Sequence, residues 1–147
     1  IITTGLPDAY AVRLMSLAEY CRTVEFTKKL RKIKKKQPLV AKQFQQLLKA
    51  ISDNAGQVPR GGNNKWEPHF LKGLGRADLK VELCYLGGPH GWRVYREMVD
   101  GIYVFRKIHK KTPGAQEATK KAIGAKPLKL YGMSTIIHQS SCSHIRD

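Results

Sequence analysis

The chain has 147 residues, 41% of them hydrophobic, and sets 27 Lys and Arg against 11 Asp and Glu, a formal charge of +16. That length suits one domain with a real core, and no run approaches the ~18 apolar residues of a membrane span. A charge excess of this size repels itself unless a polyanion neutralises it, so the expected partner is nucleic acid and not a membrane.

The opening Ile1-Ile2-Thr3-Thr4-Gly5 has no basic segment followed by an apolar one, so a secretory leader is not expected. Cys21, Cys84 and Cys142 are odd in number, widely spaced and without a CxxC, which predicts reduced thiols in a cytoplasm. Pro7-Asp8 suits the start of a short helix over 10–18, with Val12, Met15 and Ala18 on one side. Residues 20–26 are β-branched and aromatic and predict a strand, with Thr27 as the N-cap of the next element. Residues 28–36 hold seven cations in nine positions, yet Phe26, Leu30 and Ile33 keep helical spacing. The segment therefore predicts a helix with one apolar stripe and a basic exterior. Pro38 fits the first position of a second helix, and Val40, Phe44, Leu47, Leu48 and Ile51 give the clearest helical period in the chain. Asn54-Ala55-Gly56 ends that helix, and the junction at Gln37 makes the two a hairpin. Residues 56–66 are a loop by composition.

Residues 79–85, 92–98 and 101–107 predict three strands. The first two are joined by Gly87-Gly88-Pro89-His90-Gly91 and the next two through Val99-Asp100-Gly101, whose Asp-Gly step is a strong hairpin signal. Thr112-Pro113 opens a third helix over 114–123, which Gly124 closes. Residues 126–147 lack a clear period, and no internal repeat is present. The expected architecture is α+β: a helix hairpin packed on one face of a small antiparallel sheet, with the other face free. A domain over 20–125 then lies between an N-terminal extension, 1–19, and a tail, 126–147.

Side chains alternate along a strand. Leu79, Val81, Leu83 and Tyr85 share one face, assigned here to the core, and Lys80, Glu82 and Cys84 share the other. On the next strand Trp92, Val94 and Met98 suit the core, which leaves Arg93, Tyr95 and Glu97 outward; Arg96 fits only if it lies past the sheet edge. The third strand ends in Arg106-Lys107-Ile108-His109-Lys110-Lys111, basic on either parity. The free face would thus gather Lys80, Glu82, Arg93, Tyr95 and a basic strand end. These residue types serve RNA cleavage by the 2′-hydroxyl, which needs a base, cations around the phosphorane and an acid for the 5′-oxygen. The nucleophile comes from the substrate, so neither metal nor cofactor is expected. Plainer readings stand beside each residue: a solvated charge for Lys80, a salt bridge to Arg93 for Glu82, packing rather than base stacking for Tyr95, and a solvated helix for 110–121. His138, Cys142 and His144 read as incidental rather than as a metal site.

Residues 20–123 resemble the RelE/HigB-type toxins of bacterial toxin–antitoxin systems, in their phage-derived HigB-like branch. The resemblance rests on Val24-Glu25-Phe26-Thr27-Lys28-Lys29, Leu71-Lys72-Gly73-Leu74, Val81-Glu82-Leu83, Arg93-Val94-Tyr95, and Phe105-Arg106-Lys107 leading to Lys111-Thr112-Pro113, in that order. It implies a RelE/ParE-like fold and a ribosome-dependent mRNA endoribonuclease held silent by a cognate antitoxin protein. By that resemblance Arg93 stands at a sheet arginine on the scissile phosphate and Lys80 at a lysine of the preceding strand. Glu82 sits where some members have a second lysine, and Lys110-Lys111 falls near another phosphate-binding arginine. The branch often has histidine where this chain has Tyr103, with His109 close by. The candidate catalytic residues are Lys80, Glu82, Arg93 and His109; the candidate RNA-binding residues are Lys72, Tyr95, Arg106, Lys107, Lys110 and Lys111. Two other classes stay open: a ParE-branch toxin that poisons gyrase with the same fold, and a non-catalytic nucleic-acid-binding module.

Overall fold

The computed structural model describes residues 22–61, 65–88, 90–99 and 101–128. The sequence expectations for a helix over 10–18 and for His138, Cys142 and His144 lie outside them. Helix α1 is Val24–Lys36. Its cap is Thr23, whose hydroxyl accepts from the Phe26 N–H at 3.0 Å, and Glu25 in its first turn and Lys34, Lys35 and Lys36 in its last complement the helix dipole. The strand expected over 20–26 is therefore replaced by helix from Val24 on. Among the described residues of that span a short bridge precedes the helix, Arg22 beside Phe105, with the Thr23 N–H donating to the Phe105 carbonyl at 3.0 Å. β-propensity is weak against a satisfied cap and against burial of Phe26 in the helical phase of Ile33. Thr27 is not the cap; its hydroxyl donates back to the Thr23 carbonyl at 3.1 Å.

Helix α2, Pro38–Ser52, starts on its proline and buries Val40, Phe44, Leu47, Leu48 and Ile51, as its period requires. Four antiparallel strands come next, in the order β1 (His69–Phe70), β2 (Lys80–Leu86), β3 (Trp92–Val99) and β4 (Ile102–His109). No sequence pattern announces β1, since two residues show no period. Helix α3, Ala115–Ala125, runs through Gly124. A Cβ on Gly124 would sit 2.4 Å from the Leu74 carbonyl oxygen, so the glycine lets the helix approach the 71–79 segment and does not stop it.

This is the expected α+β arrangement of a helix hairpin on a small antiparallel sheet. The β3 faces are as expected, with Trp92 and Val94 toward the hairpin. Those of β2 are reversed, because its register sets Cys84 and Leu86 beside Val94 and Trp92 and sets Leu83 beside Tyr95. The hairpin packs on Cys84, Leu86, Val94, Phe105 and Ile108, the side that also holds Glu82. Rings of Phe26, Phe44 and Phe105 meet there with centroids 5.1 to 5.6 Å apart. The other face, with Val81, Leu83 and Tyr95, is covered by Leu74 and by Ile123 of α3, so neither face is free along its length. Phe105 and Ile108 both reach the hairpin although three residues apart, because a register shift beside Tyr95 and Arg96 inserts one extra residue into β4. That bulge is why parity could not be counted through this strand.

Each face holds a buried ion pair. Arg96 is not past the sheet edge. It is fully buried, with Nη2 2.7 Å from the Glu82 carboxylate and its guanidinium 4.0 Å from the Tyr103 ring centroid. On the α3 face Arg106 lies 2.5 Å from Glu97, and both are buried. Arg106 also donates to the carbonyls of Ile123 and Lys126, while Glu97 accepts from the Leu128 N–H. This pair satisfies carbonyls at the C-terminal end of α3.

Candidate nucleic-acid site

Three sequence candidates converge where β3 begins and β4 ends. Arg93 and His109 are register partners across those strands, and Tyr95 lies two residues along β3 on the same face. Arg93 is half-buried. Its Nε donates to Gln116 Oε1 at 3.3 Å and its Nη1 to the Gly91 carbonyl at 3.3 Å, and the guanidinium lies 4.9 Å from the Tyr85 ring centroid. None of the carboxylates in the described residues forms an ion pair with it.

His109 has a defined tautomer. Its Nδ1 is 2.8 Å from the Lys110 carbonyl, which can only accept, so Nδ1 holds the proton. Nε2 then offers a lone pair, which receives the Tyr95 hydroxyl at 2.8 Å. Burial pushes His109 below the ordinary imidazole value, the Lys110 carbonyl opposes this, and the nearby charges of Lys29 and Arg93 push the same way as burial. The imidazole is therefore neutral at pH 7. Burial pushes Tyr95 up to about 12, against an interaction with the Thr119 hydroxyl and the charge of Arg93. The pair is a neutral donor and a neutral base inside a cationic surround.

Two recesses adjoin it. A cavity of about 60 Å³ is lined by Glu25, Lys29, Lys107, His109 and Thr119. Lys29 there is held below the usual lysine range by burial, with Glu25 opposing and Lys107 adding to the effect. A more open cleft of about 330 Å³ is lined by Arg93, Lys111, Thr112, Pro113, Gln116 and Glu117. Lys110 and Lys111 are exposed, and Lys111 Nζ lies 3.2 Å from His90 Nδ1. The cleft presents guanidinium, ammonium and amide donors together, which suits a phosphate.

The structure thus brings together Arg93, Tyr95, His109, Lys110 and Lys111. Lys107 is close by, paired with Glu25 at 2.7 Å. Lys72 is exposed on the 71–79 segment, which passes α3 at Lys120 and Gly124. Lys80 is elsewhere: it pairs with Met98 whereas Tyr85 pairs with Arg93, about 17 Å further along β2 at ~3.4 Å per residue, and it is on the opposite face. Glu82 does not bridge to Arg93; its partners are Arg96 and Arg60, the latter at 2.9 Å. Buried in those pairs, it is unavailable as a surface base. Arg106 is likewise buried against Glu97 and not presented to RNA. The sequence reading missed Lys29, Gln116 and Thr119. Lys29 was one cation among seven, and nothing local marks a glutamine or threonine on α3 as facing a strand.

Cys84 is a free, buried thiol that burial pushes well up, so it is unreactive. Among the described residues no three His, Cys, Asp or Glu side chains gather as metal ligands, and no helix is long and apolar enough to cross a membrane. Comparison with protein-family models, with curated proteins and with solved structures finds no match to this chain.

Proposed function

We propose that this chain is the toxin of a toxin–antitoxin pair of the RelE/HigB kind. It is a cytoplasmic, metal-independent and ribosome-dependent mRNA endoribonuclease, silenced by an acidic partner protein. The observation that carries the reading is His109: neutral, with a defined Nε2 lone pair, and directly across the strands from an arginine with no carboxylate partner at the mouth of a cleft. Arg93 takes the non-bridging oxygens of the scissile phosphate, with Lys110 and Lys111 flanking. The Tyr95 hydroxyl has Thr119 as an alternative partner, and turning to it frees Nε2. His109 then removes the 2′-hydroxyl proton as the 2′-oxygen bonds to phosphorus. The bond to the 5′-oxygen breaks, and the Lys111 ammonium protonates that oxygen. The products are a 2′,3′-cyclic phosphate and a 5′-hydroxyl. Tyr95 is a positioning residue in this scheme.

A second reading is favoured by the burial of Glu82 and the displacement of Lys80: a nucleic-acid-binding module without catalysis, using the same charge of +16. One experiment separates them. The purified chain is added to a translation mixture, and cleavage of the message is mapped by primer extension with and without ribosomes. Cleavage by the native chain is expected, falling about 10²–10³-fold in Arg93→Ala with an unchanged circular-dichroism spectrum, the usual loss when one preorganised donor to a transition-state oxyanion is removed. An intact message, with tight salt-dependent RNA binding, would establish the second reading.

A further inference from the structure

The outer edge of the sheet, which leads round to the Arg93 cleft, carries aromatic groups that the proposed chemistry does not use. β1 is an edge strand of two residues, and its side chains point to opposite faces. Phe70 pairs with Glu82 and lies on the hairpin face. There Lys80 Nζ sits 4.8 Å and the Arg60 guanidinium 5.4 Å from its ring centroid. His69 lies on the other face, its ring 5.8 Å from that of Tyr85, and Tyr85 in turn has the Arg93 guanidinium 4.9 Å from its ring. Two aromatic stations thus flank one short edge, one on each face: Phe70 with two cations on its ring and Tyr85 with one.

The charges of these stations are not used up internally. No carboxylate in the described residues pairs with Lys80 or Arg93. Arg60 does meet Glu82, but Glu82 is already matched by the buried Arg96, so the trio keeps one net positive charge. Phe70 is 39% exposed, and among the described residues the only other large hydrophobic side chain left exposed is Leu39. An exposed ring among uncompensated cations is a costly way to finish a sheet edge, where charged side chains alone would suffice. The same elements, aromatic faces interleaved with cations at backbone spacing, form the platforms that hold single-stranded nucleic acid.

We propose that this edge is a binding track for single-stranded RNA. One base stacks on Phe70, displacing the exposed Lys80 head onto the neighbouring phosphate, and the strand turns round β1 past His69 and Tyr85 to the Arg93 cleft. Arg60 and Lys80 hold the phosphates on the hairpin side. The track rests on the RNA-binding part of the proposed function and not on the cleavage step.

The test uses the full chain and a 12-mer of 2′-O-methyluridine, which cleavage by the 2′-hydroxyl cannot consume, in fluorescence anisotropy across a range of salt. Phe70→Ala is expected to weaken binding by at least about 5-fold, the lower end for losing one stacked base, and Phe70→Tyr to restore it. Lys80→Ala should lower the slope of log affinity against log salt by about 0.7, one phosphate on a single strand. Arg93→Ala cleavage, measured separately, judges the nuclease reading, so the two fail independently. Unchanged affinity and salt slope in the Phe70 and Lys80 variants would overturn the track. So would failure of the native chain to bind the 12-mer, or binding of a polyglutamate peptide at this edge in its place.

Discussion

The two faces of the sheet are built to the same plan and filled differently. Each buries one Arg–Glu pair, Glu82 with Arg96 under the hairpin and Glu97 with Arg106 under α3. Around the first pair the filling is thick and apolar, with three phenylalanine rings in mutual contact. Around the second it is thin: Leu74, Val81, Leu83, Tyr95 and Ile123 are its buried apolar members. Tyr95, His109 and Arg93 lie on this thinner side. A histidine can be kept neutral and oriented only where burial is partial, because full burial would deny it substrate and full exposure would let it protonate. The hairpin face supplies stability, and the α3 face spends little apolar area and keeps the polar groups that chemistry needs.

Three measurements sharpen or break this contrast. The largest effect belongs to the hairpin side. Phe44→Ala should destabilise the fold by about 3–5 kcal/mol through lost burial and a cavity in the ring cluster, seen as a fall in the urea midpoint. A loss below about 1 kcal/mol would mean that this face does not dominate stability. Next is the α3 latch. Glu97→Gln keeps an acceptor beside Arg106 but removes the charge, at a cost of about 1.5–3 kcal/mol, the usual worth of a hydrogen bond to a charged group. Amide exchange should rise first in α3 and at Leu128, and exchange spread evenly over the sheet would contradict a local latch. The smallest effect is a pH slope from His109. Its pKa is lowered on folding from an ordinary 6.5, so below that value the unfolded chain binds the extra proton. This stabilisation is therefore complete above about pH 6.5 and is lost as pH falls through the folded value. Replacement by His109→Gln should flatten this part of the stability profile, and an unaltered slope would show that His109 is not held neutral by the fold.

Much of this was legible in the chain itself. The period of Val40, Phe44, Leu47, Leu48 and Ile51 is strong enough to specify α2 and its buried stripe. The Asp-Gly step and the Gly-rich turn before it mark the meander, and alternation along β3 places Arg93 and Tyr95 together on the face away from the hairpin. The strand predicted over 20–26 gives way to helix from Val24 because Thr23 caps the chain just where β-branched residues suggest extension. The site was half-legible. Arg93, Tyr95 and the basic strand end do meet, but Lys80 and Glu82 do not join them. Alternation says which residues share a face, and it does not say which layer will cover that face.

That distinction separates what the sequence settled alone from what the fold decided. Local patterns determined the elements, because a helix or strand is defined by neighbours within a few residues and by its caps and turns. The +16 charge likewise follows from composition and calls for an anionic partner wherever the residues end up. Tertiary structure decided the rest. The β4 bulge reset the parity, and α3 covered the face that looked free. Arg96 and Arg106 were drawn inside because Glu82 and Glu97 met them there. A buried charge is tolerable only beside its partner, and that partner is chosen by strand register, a property of pairs of segments that no single segment encodes.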